Sequence, residues 1–169
     1  MTKVFIDGSA GTTGLRIWQR LAGRKDLTLI TLPEELRKDL NARKDALNGA
    51  DVAFLCLPDA AAIEAVSLIE SDYVAVIDTS TAHRVSPDWD YGFPELSSEH
   101  RQAIIHSKRV ANPGCHASGF IAGVYPLVKS GVISADFPLT AYSLSGYSGG
   151  GKKMIAEYED ENRDPRHES

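Results

Sequence analysis

The feature that most restricts the fold is residues 3–14, KVFIDGSAGTTG. A run of β-branched and aromatic residues meets Gly8, Gly11 and Gly14, and Leu15, Trp18 and Leu21 then recur at helical spacing. Strand, glycine turn and helix in that order open a βαβ unit. Glycine permits a tight turn and a close approach of backbone to an anion. The helix start behind it offers free N–H groups and the positive end of a dipole. The spacing is G-x-x-G-x-x-G, not the commoner G-x-G-x-x-G. Taken alone, residues Gly8, Ser9, Ala10, Gly11, Thr12, Thr13 and Gly14 are either a phosphate cradle or a plain turn. Gly23 is expected to close the first helix in a left-handed conformation.

The alternation continues along the chain. Strands are expected at 27–32 (LTLITL), 51–57 (DVAFLCL), 73–77 (YVAVI), 109–111 and 139–144 (LTAYSL). The 51–57 run is nearly all apolar, as for a strand covered on both faces. Residues 34–47 read as a helix or helical loop. Residues 60–69 read as a helix capped by Asp59. A further helix is expected after Cys115, kinked at Pro126. Residues 87–98 read as loop and 145–151 (SGYSGGG) as a flexible loop. The class predicted is α/β, with a Rossmann-type, mainly parallel sheet. In that setting the glycine loop favours dinucleotide binding. Beyond the second strand, Arg37 and Lys38 can meet a 2′-phosphate, so NADP is the expected cofactor, although Glu34 can instead serve as a ribose acid. The plain alternative for Arg37 and Lys38 is a solvated helix face.

Composition removes other classes. The net charge of −5 is the wrong sign for a nucleic-acid surface. No apolar run approaches the roughly 20 residues that span a bilayer. The N-terminus shows no signal-peptide pattern. The two cysteines, Cys56 and Cys115, fit a reduced, cytoplasmic protein, and no Cys/His spacing suggests a metal site.

Residues 111–119, ANPGCHASG, place Cys115 behind a Pro-Gly turn and ahead of an apolar run. A thiolate at a helix start is stabilised by the dipole and free N–H groups. On local sequence, nucleophile and structural thiol are equally good readings. Cys56, within an apolar strand, reads as structural. His116 is adjacent to Cys115 on a helix, so the two side chains diverge and should not pair. His83, His100, His106 and His167 carry no local mark of a base and read as surface or loop histidines.

Five motifs occur in order: GSAGTTG, IDTSTAHR (77–84), YGFPEL (91–96), ANPGCHASG and SGYSGGGKK (145–153). Together they resemble the N-acetyl-γ-glutamyl-phosphate reductases, in their shorter form. Aspartate-semialdehyde dehydrogenases share the architecture, but their nucleophile usually follows Pro-Asn, whereas here it follows Pro113-Gly114. The resemblance implies attack of Cys115 on N-acetylglutamyl 5-phosphate, loss of phosphate, and reduction of the thioester by NADPH to the 5-semialdehyde, in arginine biosynthesis. It implies that residues 9–14 cradle phosphate and that Ser148, Gly149 and Gly150 lie near cofactor and active site. Asn112, next to the turn, is a candidate to position the acyl group. It also implies a homo-oligomer, with 1–114 as the dinucleotide-binding domain and 115–169 as the incomplete start of an α+β catalytic domain; residues 157–169, charged and without apolar periodicity, read as a tail. Members carry a catalytic histidine after the SG-x-SG loop, and no histidine here matches it. The chain thus looks like an N-terminal portion, expected to bind NADP weakly and to turn over little. The alternatives are a non-catalytic NADP-binding module and an aspartate-semialdehyde dehydrogenase-like enzyme.

Overall fold

The computed structural model describes residues 1–162. The end of the charged stretch, 163–169 with His167, lies outside the described residues.

β1 (Thr2–Asp7) leads through the glycine turn into α1 (Thr12–Leu21). β2 (Leu27–Ile30), a 3₁₀ turn at Glu34–Leu36, α2 (Leu40–Asn48), β3 (Val52–Leu55), α3 (Asp59–Ser67) and β4 (Ala75–Asp78) follow. Then come β5 (Asp90–Tyr91), α4 (Ser98–His106), β6 (Arg109–Ala111) and α5 (Cys115–Lys129). The described chain ends with a 3₁₀ turn at Tyr147–Gly150 and α6 (Gly151–Glu159). The six strands form one parallel sheet in the order β2-β1-β3-β4-β6-β5. β1 therefore has β2 on one side and β3 on the other. At such a reversal of strand order the crevice beyond the carboxyl ends of the strands is where ligands bind in open α/β sheets.

The core lies between one sheet face and helices α2 and α3. Ala53, Leu55 and Val76 of the strands meet Ala46, Leu47, Ala62 and Ala65 of the helices, all buried. Truncating a residue as enclosed as Leu55 to alanine costs ~2–5 kcal/mol.

Several expectations are corrected. β3 is not covered equally on both faces: Ala53 and Leu55 are fully buried, while Val52 and Phe54 are half-buried on the thinner side. Asp59 does not cap α3. Pro58 holds the cap position, and the Asp59 carboxylate accepts from the backbone and hydroxyl of Thr81 instead. Gly23 is not left-handed, because α1 ends at Ala22 with ordinary helical angles. Residues 139–144 form no strand, since no described strand lies beside them to pair with. Residues 145–151 are more ordered than a flexible loop, with a 3₁₀ turn that runs into α6. The loop-rich stretch hides β5, which pairs with Val110 and Ala111. The expected helix after Cys115 is present, with α5 running through Pro126 to Lys129.

Candidate active site

The glycine turn is built by close backbone approach. Gly8 has φ +84°, and a Cβ there would lie 2.3 Å from the carbonyl oxygen of Cys56. A Cβ on Gly14 would lie 2.3 Å from the carbonyl oxygen of Gly8, so only glycine lets α1 pack onto the turn. The Gly11 N–H donates to Gly8 O at 2.9 Å, and Gly11 then caps α1 with no side-chain hydrogen bond. The helix start keeps donors for an anion.

A cavity of about 660 Å³ opens beside this turn, beyond β1 and β2. Gly8, Ser9, Ala10 and Trp18 line one part of it; Arg37 and Lys38 line another, with Glu34 beside them. The cavity thus gathers Gly8, Ser9, Ala10, Arg37 and Lys38 of the expected cofactor residues, together with the competing acid, while Gly11, Thr12, Thr13 and Gly14 do not line it. Under the loop, the buried carboxylate of Asp7 accepts from Nε and Nη2 of Arg43 at 3.1 and 3.0 Å, and Arg43 Nη1 donates to Glu64 at 2.8 Å. Burial raises the Asp7 carboxyl above its ordinary range, against the pull of Arg43.

The later glycine motif reaches the same loop from the other side. Ser148 shares a recess of about 270 Å³ with Thr12, Thr13 and Arg16. Lys152 Nζ donates to Ala10 O at 2.7 Å. Gly149 closes its own turn by donating to Gly146 O at 2.8 Å, and Gly150 packs on Met154.

Cys115 is the first residue of α5, is exposed, and follows Gly114 at the cap position. Gly114 has no capping side chain. Its carbonyl receives the first helical bond from the Ser118 N–H at 2.9 Å and a second from the Ser118 hydroxyl at 2.9 Å. Free N–H groups at this end can receive an anion on a bound acyl group. Asn112 sits in the turn, with its N–H on Asp78 O at 2.8 Å and its side-chain amide donating to Pro113 O at 3.1 Å. His116 does not turn to Cys115; its ring nitrogens meet Ser143 and Ser145. Cys56 differs in kind: burial pushes its thiol up to about 11, so it stays protonated at neutral pH.

Two groups escaped the sequence reading. Arg84 donates from Nε to Asn112 O at 3.1 Å and from Nη2 to Thr79 O at 3.0 Å. A Cβ at Gly114 would come within 2.7 Å of its Nη1, so glycine there admits the guanidinium against the turn. His83 is not a surface histidine. Its Nδ1 lies 2.7 Å from the buried Asp78 carboxylate, and its ring stacks on Trp89 at 4.1 Å. The visible signal was the placement of both residues in IDTSTAHR, just past a strand's carboxyl end. His100, by contrast, meets the Ser97 hydroxyl at 2.8 Å, near the start of α4.

Among the described residues no group of three or more His, Cys, Asp or Glu side chains is arranged to hold a metal. No helix there is long and apolar enough to cross a membrane.

Residues 3–104 match the family profile described as semialdehyde dehydrogenase, NAD binding domain, and residues 115–167 match semialdehyde dehydrogenase, dimerisation domain. A protein of Chelativorans sp. (strain BNC1) named N-acetyl-gamma-glutamyl-phosphate reductase is 55% identical over 162 residues, covering 96% of this chain and 52% of the relative. One of the same name from Mesorhizobium japonicum is 57% identical over 156 residues, 92% of this chain and 51% of the relative. The chain spans about half the length of the curated relatives it matches. Among solved structures, aspartate semialdehyde dehydrogenase from Francisella tularensis superposes with TM-score 0.66 at 20% identity, over 93% of this chain and 48% of that one. At that identity the likeness speaks for the fold. The matched NAD-binding profile covers most of the chain, and the chain belongs to the semialdehyde dehydrogenase family.

Proposed function

We propose that this chain supplies the cofactor cavity and the nucleophile of an NADP-dependent reductase that converts N-acetylglutamyl 5-phosphate to N-acetylglutamate 5-semialdehyde. The observation that carries this reading is Cys115: an exposed thiol on the first residue of a helix, behind a glycine that leaves the helix end open. Relatives above 50% identity bear that enzyme's name.

The Cys115 thiolate attacks the acyl carbon, the C–O bond to phosphate breaks, and phosphate leaves with the electron pair. The helix N–H groups favour the oxyanion that forms. Arg84, against Gly114, keeps a cation beside the turn. Asn112 is suited to orient the acyl group. When bound, NADPH supplies the hydride that takes the thioester to the aldehyde. The glycine turn fits such a group because Gly8 and Gly14 let the turn pack against Cys56 and the start of α1 pack against the turn, which sets the open helix end beside the loop. Residues 8–14 would hold the pyrophosphate, Arg37 and Lys38 the 2′-phosphate, and residues 148–150 would close on the cradle. On this reading 1–114 is the dinucleotide-binding domain and 115–169 begins the catalytic domain, in a homo-oligomeric cytoplasmic enzyme of arginine biosynthesis.

The reading is tested by substrate competition in the full-length protein, run in the direction of semialdehyde, phosphate and NADP⁺ consumption. The N-acetylglutamate semialdehyde should be strongly preferred. Preference for aspartate semialdehyde would replace the reading with that of its structural neighbours.

A further inference from the structure

We infer that His83 is a positioning residue for the chemistry at Cys115: seated on Asp78, it fixes the loop that delivers Arg84 to the Gly114 turn. The inference rests on the reading of Cys115 as the nucleophile.

Asp78 ends β4 and is wholly buried. A carboxylate so placed is costly unless its oxygens are hydrogen-bonded. One oxygen accepts from the Ser80 N–H at 3.0 Å. The other accepts from the Ser80 hydroxyl at 2.6 Å and meets His83 Nδ1 at 2.7 Å. Ser80 lies only two residues away, so its bonds shape a local turn. His83 lies five residues away, and its bond closes the whole loop. Trp89 stacks on the imidazole with an interplanar angle of 14°, which fixes the ring's plane.

The rest of the loop is anchored on both flanks. Thr79 donates from its N–H and its hydroxyl to Leu55 O, each at 3.0 Å. Thr81 is held by Asp59. Asp59 feels the charge of Arg84, but its hydrogen bonds go to Thr81 and to the Ala82 backbone. The hydrogen bonds of Arg84 go to two backbone carbonyls, Thr79 and Asn112. No carboxylate steers its guanidinium by a direct hydrogen bond among those contacts. Backbone position steers it, and the residue just before it is His83. Asp78 joins the two ends of the arrangement, since its side chain holds His83 and its carbonyl receives the Asn112 N–H at 2.8 Å.

The test reads the electrostatic field at Cys115 with no substrate present. Alkylation at Cys115 is followed by peptide mass spectrometry with iodoacetate and with iodoacetamide, and the rate ratio reports a nearby cation. Arg84→Gln should lower that ratio roughly threefold or more. His83→Phe, which keeps an aromatic ring for Trp89 but has no ring nitrogen, should lower it as far. His83→Asn, whose amide N–H can stand near the Nδ1 position, should restore it. If His83→Phe does not fold, His83→Gln, with its donor one bond farther out, takes its place and should show the same loss. A wild-type ratio in Arg84→Gln, or in a folded His83→Phe or His83→Gln chain, overturns the inference, as does a folded His83→Asn chain that fails to restore it. The ratio does not depend on turnover, so failure of the substrate competition leaves it unchanged and the two ideas fall separately.

Discussion

Arg84 reaches across from the loop after β4 to donate to the carbonyl oxygen of Asn112 at 3.1 Å, joining that loop to the turn that ends at Cys115. Residue 114 has no side chain to crowd the guanidinium there. Gly114 has φ −78°, which any residue tolerates, so Gly114→Ala strains no backbone. The added methyl would meet the far end of a flexible side chain at 2.7 Å. The guanidinium moves away at little cost, within about 1 kcal/mol of stability. The expected result is near wild-type denaturant unfolding with a reduced preference of Cys115 for iodoacetate. Unchanged alkylation would show that the packing of Arg84 on this turn does not matter.

Gly8 behaves in the opposite way. Its φ is positive, and the atom a Cβ would strike is the backbone oxygen of Cys56, just past the end of β3, which cannot step aside. Gly8→Ala should destabilise the chain by ~1–3 kcal/mol and remove NADPH binding. Urea unfolding and a titration monitored by fluorescence of Trp18, in the cavity wall, read both effects. A stable variant that binds normally would mean the turn is not the cradle.

The two thiols should separate cleanly by reactivity. Cys115 is exposed, whereas burial holds the Cys56 thiol at about 11. Limited labelling at pH 7.5 should modify Cys115 alone, with Cys56 reacting only on unfolding. The sign of the linkage follows. A thiol whose folded value is raised stabilises the fold below its unfolded value, near 9, and loses that contribution as pH rises toward 11. Unfolding measured across that window should show falling stability, and Cys56→Ala should flatten the slope. Equal labelling of the two thiols in the folded chain would contradict the burial of Cys56.

Cofactor choice hangs on the cavity wall where Arg37 and Lys38 stand beside Glu34. Replacing both cations with alanine should weaken NADPH binding by roughly tenfold or more and leave NADH nearly unchanged. The loss should shrink at high salt, since exposed charges are screened. An equal loss for both cofactors would place the cations elsewhere than at the 2′-phosphate.

Much of the frame was legible because it is written in local pattern. Apolar runs broken by glycine and proline marked β1 to β4, and Pro113-Gly114 marked the helix start at Cys115. What escaped depends on partners distant in sequence. β5 has two residues, and its pairing with Val110 and Ala111 is made by backbone, which leaves no side-chain pattern. Residues 139–144 carry strand-like composition, yet composition cannot supply a neighbouring strand. His83 looked like a loop histidine because its partners, Asp78 and Trp89, lie five and six residues away at no regular period. Arg84 binds backbone oxygens, which every residue has, so no motif announces it.

In the proposed reaction Cys115 takes the acyl group. Incubating the chain with N-acetylglutamyl phosphate, quenching in acid and mapping the peptides by mass spectrometry tests it most directly. An N-acetylglutamyl adduct is expected on Cys115, released by hydroxylamine and absent from Cys115→Ser. An adduct on Cys56 or elsewhere, or one that persists in Cys115→Ser, would contradict it.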